Sequence, residues 1–136
     1  MVRDLTPLVV QTGSMWWTRR RSLDLLTRDL EAAIGADRVA GGASALHLYS
    51  RDGSIIRGGR AGVVCLPGST EQVAACIRVA RAHGRAFVPR GAGTGLSGGA
   101  VPCDDPVVIS TTRMDRILEV DVDRRIAWVE PGVVNL

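Results

Sequence analysis

The residues of this chain that could do chemistry are concentrated in residues 88–102, which read VPRGAGTGLSGGAVP. This segment follows a short apolar stretch and combines closely spaced glycines with the small hydroxyl residues Thr94 and Ser97. Glycine leaves peptide N–H groups unshielded and reaches positive φ without strain, so successive N–H groups can converge on one anion such as a pyrophosphate. The segment therefore predicts a loop that binds a nucleotide-type cofactor.

Three common motifs fit parts of this segment, but the rest of the sequence argues against each. Residues 93–98 fit the dinucleotide fingerprint G-x-G-x-x-G, which needs a helix directly after the loop, and the two prolines that follow exclude a useful helix. A P-loop needs a lysine, and the sequence has none. Residues 95–99 fit the hydrolase pattern G-x-S-x-G, but both histidines precede its serine. The interpretation that remains is a loop that binds phosphate through its backbone alone.

The loop and its flanking segments carry a more specific pattern than the glycines alone. They read PRGAGTGLSGGAVP at residues 89–102, VVCLPGSTEQVAACIRVARAHG at residues 63–84 and VVISTTRMDRILEVDVDRRIAWVEPGVVNL at residues 107–136. This combination closely resembles the FAD-linked oxidases of the glycolate oxidase and D-lactate dehydrogenase type, over residues 49–136. The resemblance implies an α/β (α+β) fold, namely the N-terminal part of a PCMH-type FAD-binding domain, with a small mixed sheet and one or two covering helices.

The resemblance implies FAD as the cofactor and places its contacts in two segments. In the family the glycine loop wraps the FAD pyrophosphate, and a shorter Pro-Gly contact lies near the adenosine end. The implied cofactor-binding residues are Pro89, Arg90, Gly91, Ala92, Gly93, Thr94, Gly95 and Ser97 in the loop, and Pro131 and Gly132 in the shorter contact. For Arg90 an alternative stays open, because a surface arginine held by Asp104 or Asp105 fits the sequence nearly as well.

The resemblance also implies a reaction, the oxidation of a 2-hydroxy acid such as glycolate or D-lactate to the 2-oxo acid by hydride transfer to flavin. The partners it implies are this small-molecule substrate and an electron-transfer partner subunit. The family's flavin domain continues beyond the pattern found here, and its catalytic residues have no counterpart in this sequence. We therefore expect an N-terminal fragment, or a truncated reading frame, with the catalytic residues unknown. A non-catalytic nucleotide-binding module working through a partner chain and an inactive truncated product are the alternatives.

Hydrophobic periodicity predicts the first of the elements that support the loop. Apolar residues recur at helical spacing over residues 22–34 and predict one amphipathic helix that ends at Gly35. Residues 1–21 show no sustained period and predict disorder or an upstream start artefact. The expected domains are an N-terminal extension, residues 1–56, which holds this helix, and the truncated flavin domain, residues 57–136.

The flavin domain is predicted to alternate strand and helix around the loop. Ser69 and Gln72 form a capping box that begins a helix, and His83-Gly84 ends it, so His83 is expected to cap the helix and not to catalyse. Residues 49–52, YSRD, resemble a connecting segment of the family and receive no catalytic role. The expected strands are residues 62–66, 85–89 and 107–111, followed by a hairpin of residues 117–121 and 125–129.

Composition restricts the remaining classes of function. The formal charge is +3, but the 17 basic residues are all arginine and are interspersed with 14 acids, so Arg19-Arg20-Arg21 predicts a solvated tail and no nucleic-acid surface. No segment approaches the ~20 apolar residues of a membrane span. The sequence predicts a cytoplasmic protein, or one held peripherally at a membrane through its partners.

The three cysteines, Cys65, Cys76 and Cys103, lack any C-x-x-C spacing. Their odd number and wide separation argue against both a disulfide framework and a zinc site. Cys65 lies in a predicted strand and Cys76 on the apolar face of a predicted helix. We expect these two to be buried free thiols, and no metal site is predicted.

Overall fold

The computed structural model describes residues 11–134 of the chain. In chain order the elements are α1 (Gln11–Ile34), a 3-10 turn (Ala36–Arg38), β1 (Val39–Ala40), α2 (Ala43–Leu48), β2 (Val63–Cys65), α3 (Thr70–Ala82), β3 (Phe87–Arg90), β4 (Val107–Ser110), β5 (Ile117–Asp121) and β6 (Ile126–Val129). The predicted alternation of strand and helix after residue 61 is confirmed. The short elements β1 and α2 were not expected from the sequence.

Helix α1 is longer than its apolar pattern predicts. It begins at Gln11, eleven residues before the predicted start, and ends before Gly35, whose φ of +97° suits glycine. The prediction that residues 1–21 lack structure is therefore wrong for residues 11–21, and residues 1–10 lie outside the described part of the chain. Arg19, Arg20 and Arg21 are exposed. Arginine is a good helix former, so these residues favour a helix without giving an apolar period.

A four-stranded mixed sheet with the order β1-β2-β4-β3 forms the centre of the fold. Strand β4 runs parallel to both β2 and β3, and β1 is antiparallel to β2. Every residue of β2 and β4 is buried, which explains why their sequences, VVC and VVIS, are almost continuously apolar. Because β3 and β4 run parallel, their carboxyl ends lie at the same edge of the sheet.

Residues on the sheet alternate between two apolar clusters, one on each face. Val63, Cys65, Val107 and Ile109 face a cluster completed by the two long helices α1 and α3. Val64 and Val108 face a smaller cluster, which includes Leu46 of α2 and Ala61. Helix α1 thus packs into the same core as the central strands of the sheet.

The predicted capping of α3 is confirmed at both ends. The Gln72 N–H donates to the Ser69 hydroxyl at 3.3 Å, and the Gln72 side-chain oxygen accepts from the Gly68 N–H at 2.8 Å. The reciprocal contact therefore reaches Gly68 and not Ser69 itself. At the other end His83 is the C-terminal cap, and its Nε2 lies 2.8 Å from the Asp29 carboxylate of α1. His83 therefore also ties the two covering helices together.

Strands β5 and β6 form the predicted antiparallel hairpin as a separate two-stranded sheet. Its apolar side chains are largely exposed, including Leu118 and Val120, each 60% exposed, and Trp128, which is 59% exposed. A hairpin with two solvated apolar faces gains little stability from its own packing.

The predicted fold class, an α/β (α+β) fold with a small mixed sheet and covering helices, is confirmed by this architecture. Among the helices within residues 11–134, none combines the length and the apolar character needed to cross a membrane.

Candidate functional site

The glycine loop, residues 91–99, leaves the carboxyl end of β3 at the edge of the sheet. The Thr111 N–H at the end of β4 donates to the Arg90 carbonyl at 2.8 Å, which fixes the start of the loop. Most of the loop is exposed, including Thr94 and Ser97. Because open α/β sheets bind ligands outside the carboxyl ends of their strands, the loop occupies the expected position for a ligand.

The backbone N–H groups of the loop have no protein acceptors within the described residues. None of the nine N–H groups of residues 91–99 makes such a bond, whereas the neighbouring Ala100 N–H reaches Asp52 at 3.4 Å and the Val101 N–H donates to the Gly98 carbonyl at 3.1 Å. Successive free N–H groups in a glycine-rich turn can converge on an oxyanion. The loop can therefore bind a phosphate without a charged side chain.

Glycine at several loop positions leaves room beside the backbone. A Cβ placed on Gly91, Gly95 or Gly99 would meet nothing within 4 Å. Gly93 and Gly98 instead have φ of +77° and +75°, which side-chain-bearing residues rarely adopt. Three glycines thus keep the surface open for a close approach, and two allow the turns that shape it.

Arg90 is fixed beneath the loop. Its Nη1 donates to the Arg51 carbonyl at 2.6 Å, and its guanidinium lies 5.2 Å from the centre of the Tyr49 ring, a cation–π contact. A Cβ on Gly93 would overlap this guanidinium. Arg90 therefore supports the turn at Gly93 and adds a positive charge beside the loop.

Asp105 binds a different arginine from the one considered in the sequence analysis. The Arg19 guanidinium of α1 donates to the Asp105 carboxylate twice, with the Nε contact at 2.6 Å, and Asp105 is only 3% exposed. The alternative that Asp104 or Asp105 holds Arg90 is therefore not found, and the expectation that Arg19 belongs to a solvated tail is wrong. The sequence could not reveal the Arg19–Asp105 pairing, because the partners lie 86 residues apart.

Residues 49–59, which we call the strap, pack against the glycine loop. A Cβ on Gly53 would lie 2.8 Å from the Thr94 carbonyl oxygen, so the two backbones are in close contact there. A Cβ on Gly98 would in turn lie 2.5 Å from the Ile56 side chain. The strap is thus part of the site's support, which sequence reasoning missed because YSRD was assigned only a connecting role.

Asp52 links the strap to the far end of the loop. Its carboxylate accepts from the Ser54 N–H at 2.9 Å and from the Ala100 N–H at 3.4 Å. These hydrogen bonds, led by those from Ser54, together with the positive charge of Arg90, hold the pKa of Asp52 below its usual value. Asp52 is therefore a positioning residue that remains charged at neutral pH.

The second predicted contact, Pro131 and Gly132, lies near the start of the loop. The Gly132 N–H donates to the Met114 carbonyl at 2.8 Å, and a Cβ on Gly132 would overlap the Thr111 carbonyl oxygen. Because Thr111 is itself bonded to the Arg90 carbonyl, the structure brings both predicted segments to one edge of the sheet. Their contact with the cofactor stays a prediction.

A buried carboxylate holds the backbone directly before this contact. Glu130 is 9% exposed and accepts from the Arg116 N–H at 3.0 Å and from the Arg116 guanidinium at 2.6 Å. These bonds hold the pKa of Glu130 below its usual value of 4.5. The Arg116–Glu130 pair therefore fixes the backbone between the end of β6 and Pro131-Gly132.

We expect Glu130→Gln to lower stability only above acid pH. A carboxyl with a lowered folded-state pKa stabilises the fold fully above its unfolded pKa and loses this contribution as pH falls through the folded value. The urea midpoint of the variant should therefore be lower than that of the wild type at pH 7, and the difference should shrink as pH falls below about 4.5. Glu119→Gln, at an exposed position of the same hairpin, is the control. An equal loss in both variants would contradict the role of the pair.

The cysteines do not contribute to this site. Cys65 and Cys76 are buried free thiols, as predicted, and Cys103 is exposed. The hydrogen bond with the Cys76 thiol and burial raise the pKa of Cys65, so it is protonated at neutral pH. Within the described residues no three His, Cys, Asp or Glu side chains cluster closely enough to hold a metal.

Residues 61–136, more than half of the chain, match a family described as an FAD binding domain, FAD_binding_4. The chain belongs to this FAD-binding family. The predicted resemblance to oxidases of the glycolate oxidase and D-lactate dehydrogenase type is confirmed, and FAD is the cofactor that the family indicates.

Two curated relatives illustrate how much of the chain is shared. D-2-hydroxyglutarate dehydrogenase of Stutzerimonas stutzeri is 37% identical over 110 residues, covering 81% of this chain and 24% of the relative. Glycolate oxidase subunit GlcD of Escherichia coli K12 is 42% identical over 88 residues, covering 65% of this chain and 18% of the relative. The chain thus spans about a quarter or less of the length of these relatives.

Solved structures confirm the fold. The structure of p-cresol methylhydroxylase with substrate bound superposes with a TM-score of 0.74 at 20% identity, covering 84% of this chain and 23% of that chain. At this level of identity the likeness concerns the fold alone. The predicted PCMH-type fold, to which p-cresol methylhydroxylase belongs, is therefore confirmed.

The residues of the described site fit FAD. Its diphosphate needs several donors and a close approach to the backbone, and the loop offers free N–H groups together with open space at Gly91, Gly95 and Gly99. A buried side-chain oxygen or nitrogen without a partner does not occur among the described residues. The binding capacity of the described site therefore lies in its exposed backbone.

Proposed function

We propose that this chain supplies the diphosphate-binding part of the FAD site of an enzyme that oxidises a 2-hydroxy acid to the 2-oxo acid. The observation that carries the proposal is the run of nine loop N–H groups without protein acceptors within the described residues. Backbone N–H groups suit a diphosphate because they are fixed donors that need no rearrangement on binding. The names of the relatives, a 2-hydroxyglutarate dehydrogenase and a glycolate oxidase subunit, support the substrate class.

In this proposal the chain's own residues bind and orient the cofactor. The N–H groups of residues 91–99 hold the diphosphate, Arg90 adds positive charge beside it, and Pro131-Gly132 contact the adenosine end. FAD supplies, when bound, a flavin ring that accepts a hydride from the substrate carbon. No residue of this chain is assigned a catalytic role.

The proposal is tested by adding FAD to the purified chain, removing the excess and recording the visible spectrum. We expect retained flavin absorbance, and amide shifts in NMR spectra of ¹⁵N-labelled chain centred on residues 91–99. Shifts confined to other residues would contradict the assignment of the loop.

The substrate class is tested in the intact enzyme that contains this domain. Glycolate, D-lactate and D-2-hydroxyglutarate are added to it without oxygen. Loss of flavin absorbance with at least one of them is expected, and none with all three would contradict the substrate class.

A second candidate function is a non-catalytic nucleotide-binding module that works through a partner chain. The exposed apolar faces of the β5–β6 hairpin favour it, because contiguous exposed apolar side chains commonly mark interaction surfaces. The GlcD relative is itself named as a subunit, which supports an electron-transfer partner in either case.

An inactive truncated product is the remaining alternative, and retention of FAD by a protease-resistant chain would argue against it. A cytoplasmic location, or peripheral attachment to a membrane through a partner, belongs to the same proposal.

A further inference from the structure

A cavity of about 400 Å³ is formed largely by residues of the strap, and its lining carries several positive charges. Arg51, Arg57 and Arg60 line it together with His47 and Ser50, and its remaining lining residues are alanine and glycine. Among residues 19–134 no carboxylate lines this cavity. We call it the arginine pocket. None of the ten predicted cofactor-binding residues lines it, although the strap that forms most of the pocket also packs against the glycine loop.

The backbone around the arginine pocket is held in place. Arg51 is fixed through its carbonyl, which accepts from the Arg90 guanidinium at 2.6 Å. Between the other two arginines, the Gly59 N–H donates to the Pro102 carbonyl at 2.9 Å, and a Cβ on Gly58 would lie 2.7 Å from that same oxygen. The backbone that carries the three arginines is therefore held in place, while their side chains are exposed.

No described protein group neutralises the charges of the pocket. Across residues 19–134 the side chains of Arg51, Arg57 and Arg60 form no ion pair and no hydrogen bond with another side chain. The neighbouring Asp52 instead binds the N–H groups of Ser54 and Ala100. Guanidinium groups that share a cavity repel one another, and an anion would relieve this repulsion.

We propose that the arginine pocket binds a phosphate-type oxyanion, either free or carried by a nucleotide. Guanidinium groups match phosphate oxygens with paired N–H donors, and several of them on one ligand give charge-assisted hydrogen bonds. The open shape of the pocket admits a small anion from solvent. The inference goes beyond the proposed function, because it concerns side chains that the proposed function does not use.

The test is an NMR titration of ¹⁵N-labelled chain with inorganic pyrophosphate, read separately at residues 57–60 and at residues 91–99. We expect saturable shifts at residues 57–60, and about tenfold or more weaker binding there in the double variant R57A/R60A, since hydrogen bonds between charged groups are the strong ones. The control is R78A/R81A, which removes the same charge from exposed positions of α3. It should bind within about twofold of wild type.

The two readouts separate this proposal from the proposed function. No saturable shift at residues 57–60, or equal weakening by both double variants, would overturn the arginine pocket whatever happens at the glycine loop. Because two changes could disturb the strap, the single variant R57Q serves as a second test and should also weaken binding at residues 57–60. FAD distinguishes the source of the phosphate, because it carries a single diphosphate: shifts at residues 57–60 with residues 91–99 unshifted indicate that the pocket holds the cofactor's phosphate, which would contradict the proposed function, and shifts with pyrophosphate alone indicate a free ion. Either result supports the proposal.

Discussion

Replacing Gly93 with valine is expected to weaken FAD retention by about 5- to 150-fold, since a strained left-handed residue costs on the order of 1–3 kcal/mol. Gly93 has a φ of +77°, which a β-branched residue tolerates poorly. A Cβ there would also overlap the Arg90 guanidinium, which the strap holds through Arg51 and Tyr49. The turn must therefore change shape, and the nearby N–H groups lose their arrangement. The measurement is flavin absorbance after removal of excess FAD.

The matched control is Gly84→Val, because Gly84 also has a positive φ, +62°, but lies at the end of α3. A Cβ on Gly84 would meet nothing within 4 Å. This variant should lose stability through backbone strain and still retain FAD. If both variants lost flavin equally, the effect would come from the fold, and the assignment of the loop would fail.

The largest expected loss of stability follows from Leu30→Ala, about 2–5 kcal/mol. Leu30 is fully buried and belongs to the cluster that joins α1 and α3 to the sheet. Its removal deletes buried methyl groups and leaves a cavity between elements that cannot close freely. The measurement is the free energy of unfolding in urea, in the same chain.

Leu25→Ala is the control for this prediction, since Leu25 lies on the same helix but is 47% exposed. The two substitutions change helix propensity equally and differ only in burial. We expect a change within about 0.5 kcal/mol for Leu25→Ala. Similar losses in both variants would mean that α1 does not pack into the core of the flavin-binding sheet, contrary to the structure.

The strands, the hairpin and the caps of α3 were predictable from the sequence. The strands and the hairpin follow from short-range patterns: the buried runs VVC and VVIS, and the alternation around residues 121–123. The caps of α3 follow from Ser69, Gln72 and His83, which act within a few residues of their own positions. Such elements are predictable because their hydrogen bonds close over short stretches of chain.

The local pattern predicts only part of helix α1. Its buried face, at Leu26, Leu30 and Ile34, gives a clear helical period, but the sequence of the first half of the helix carries no such period. Arg19 holds that half against the fold through buried Asp105. A pairing of residues 86 positions apart leaves no local signal in either segment.

The sequence by itself determined the chemistry of the loop, because a glycine-rich backbone exposes N–H groups and reaches positive φ wherever it is placed. It also determined the strand and helix alternation that carries the loop to the edge of the sheet. Only the tertiary structure decided what surrounds the loop: Tyr49 and Arg51 against Arg90, Asp52 at the far end, and Gly132 against Thr111. These contacts join segments far apart in the chain, so they depend on the path of the whole backbone and not on any local pattern.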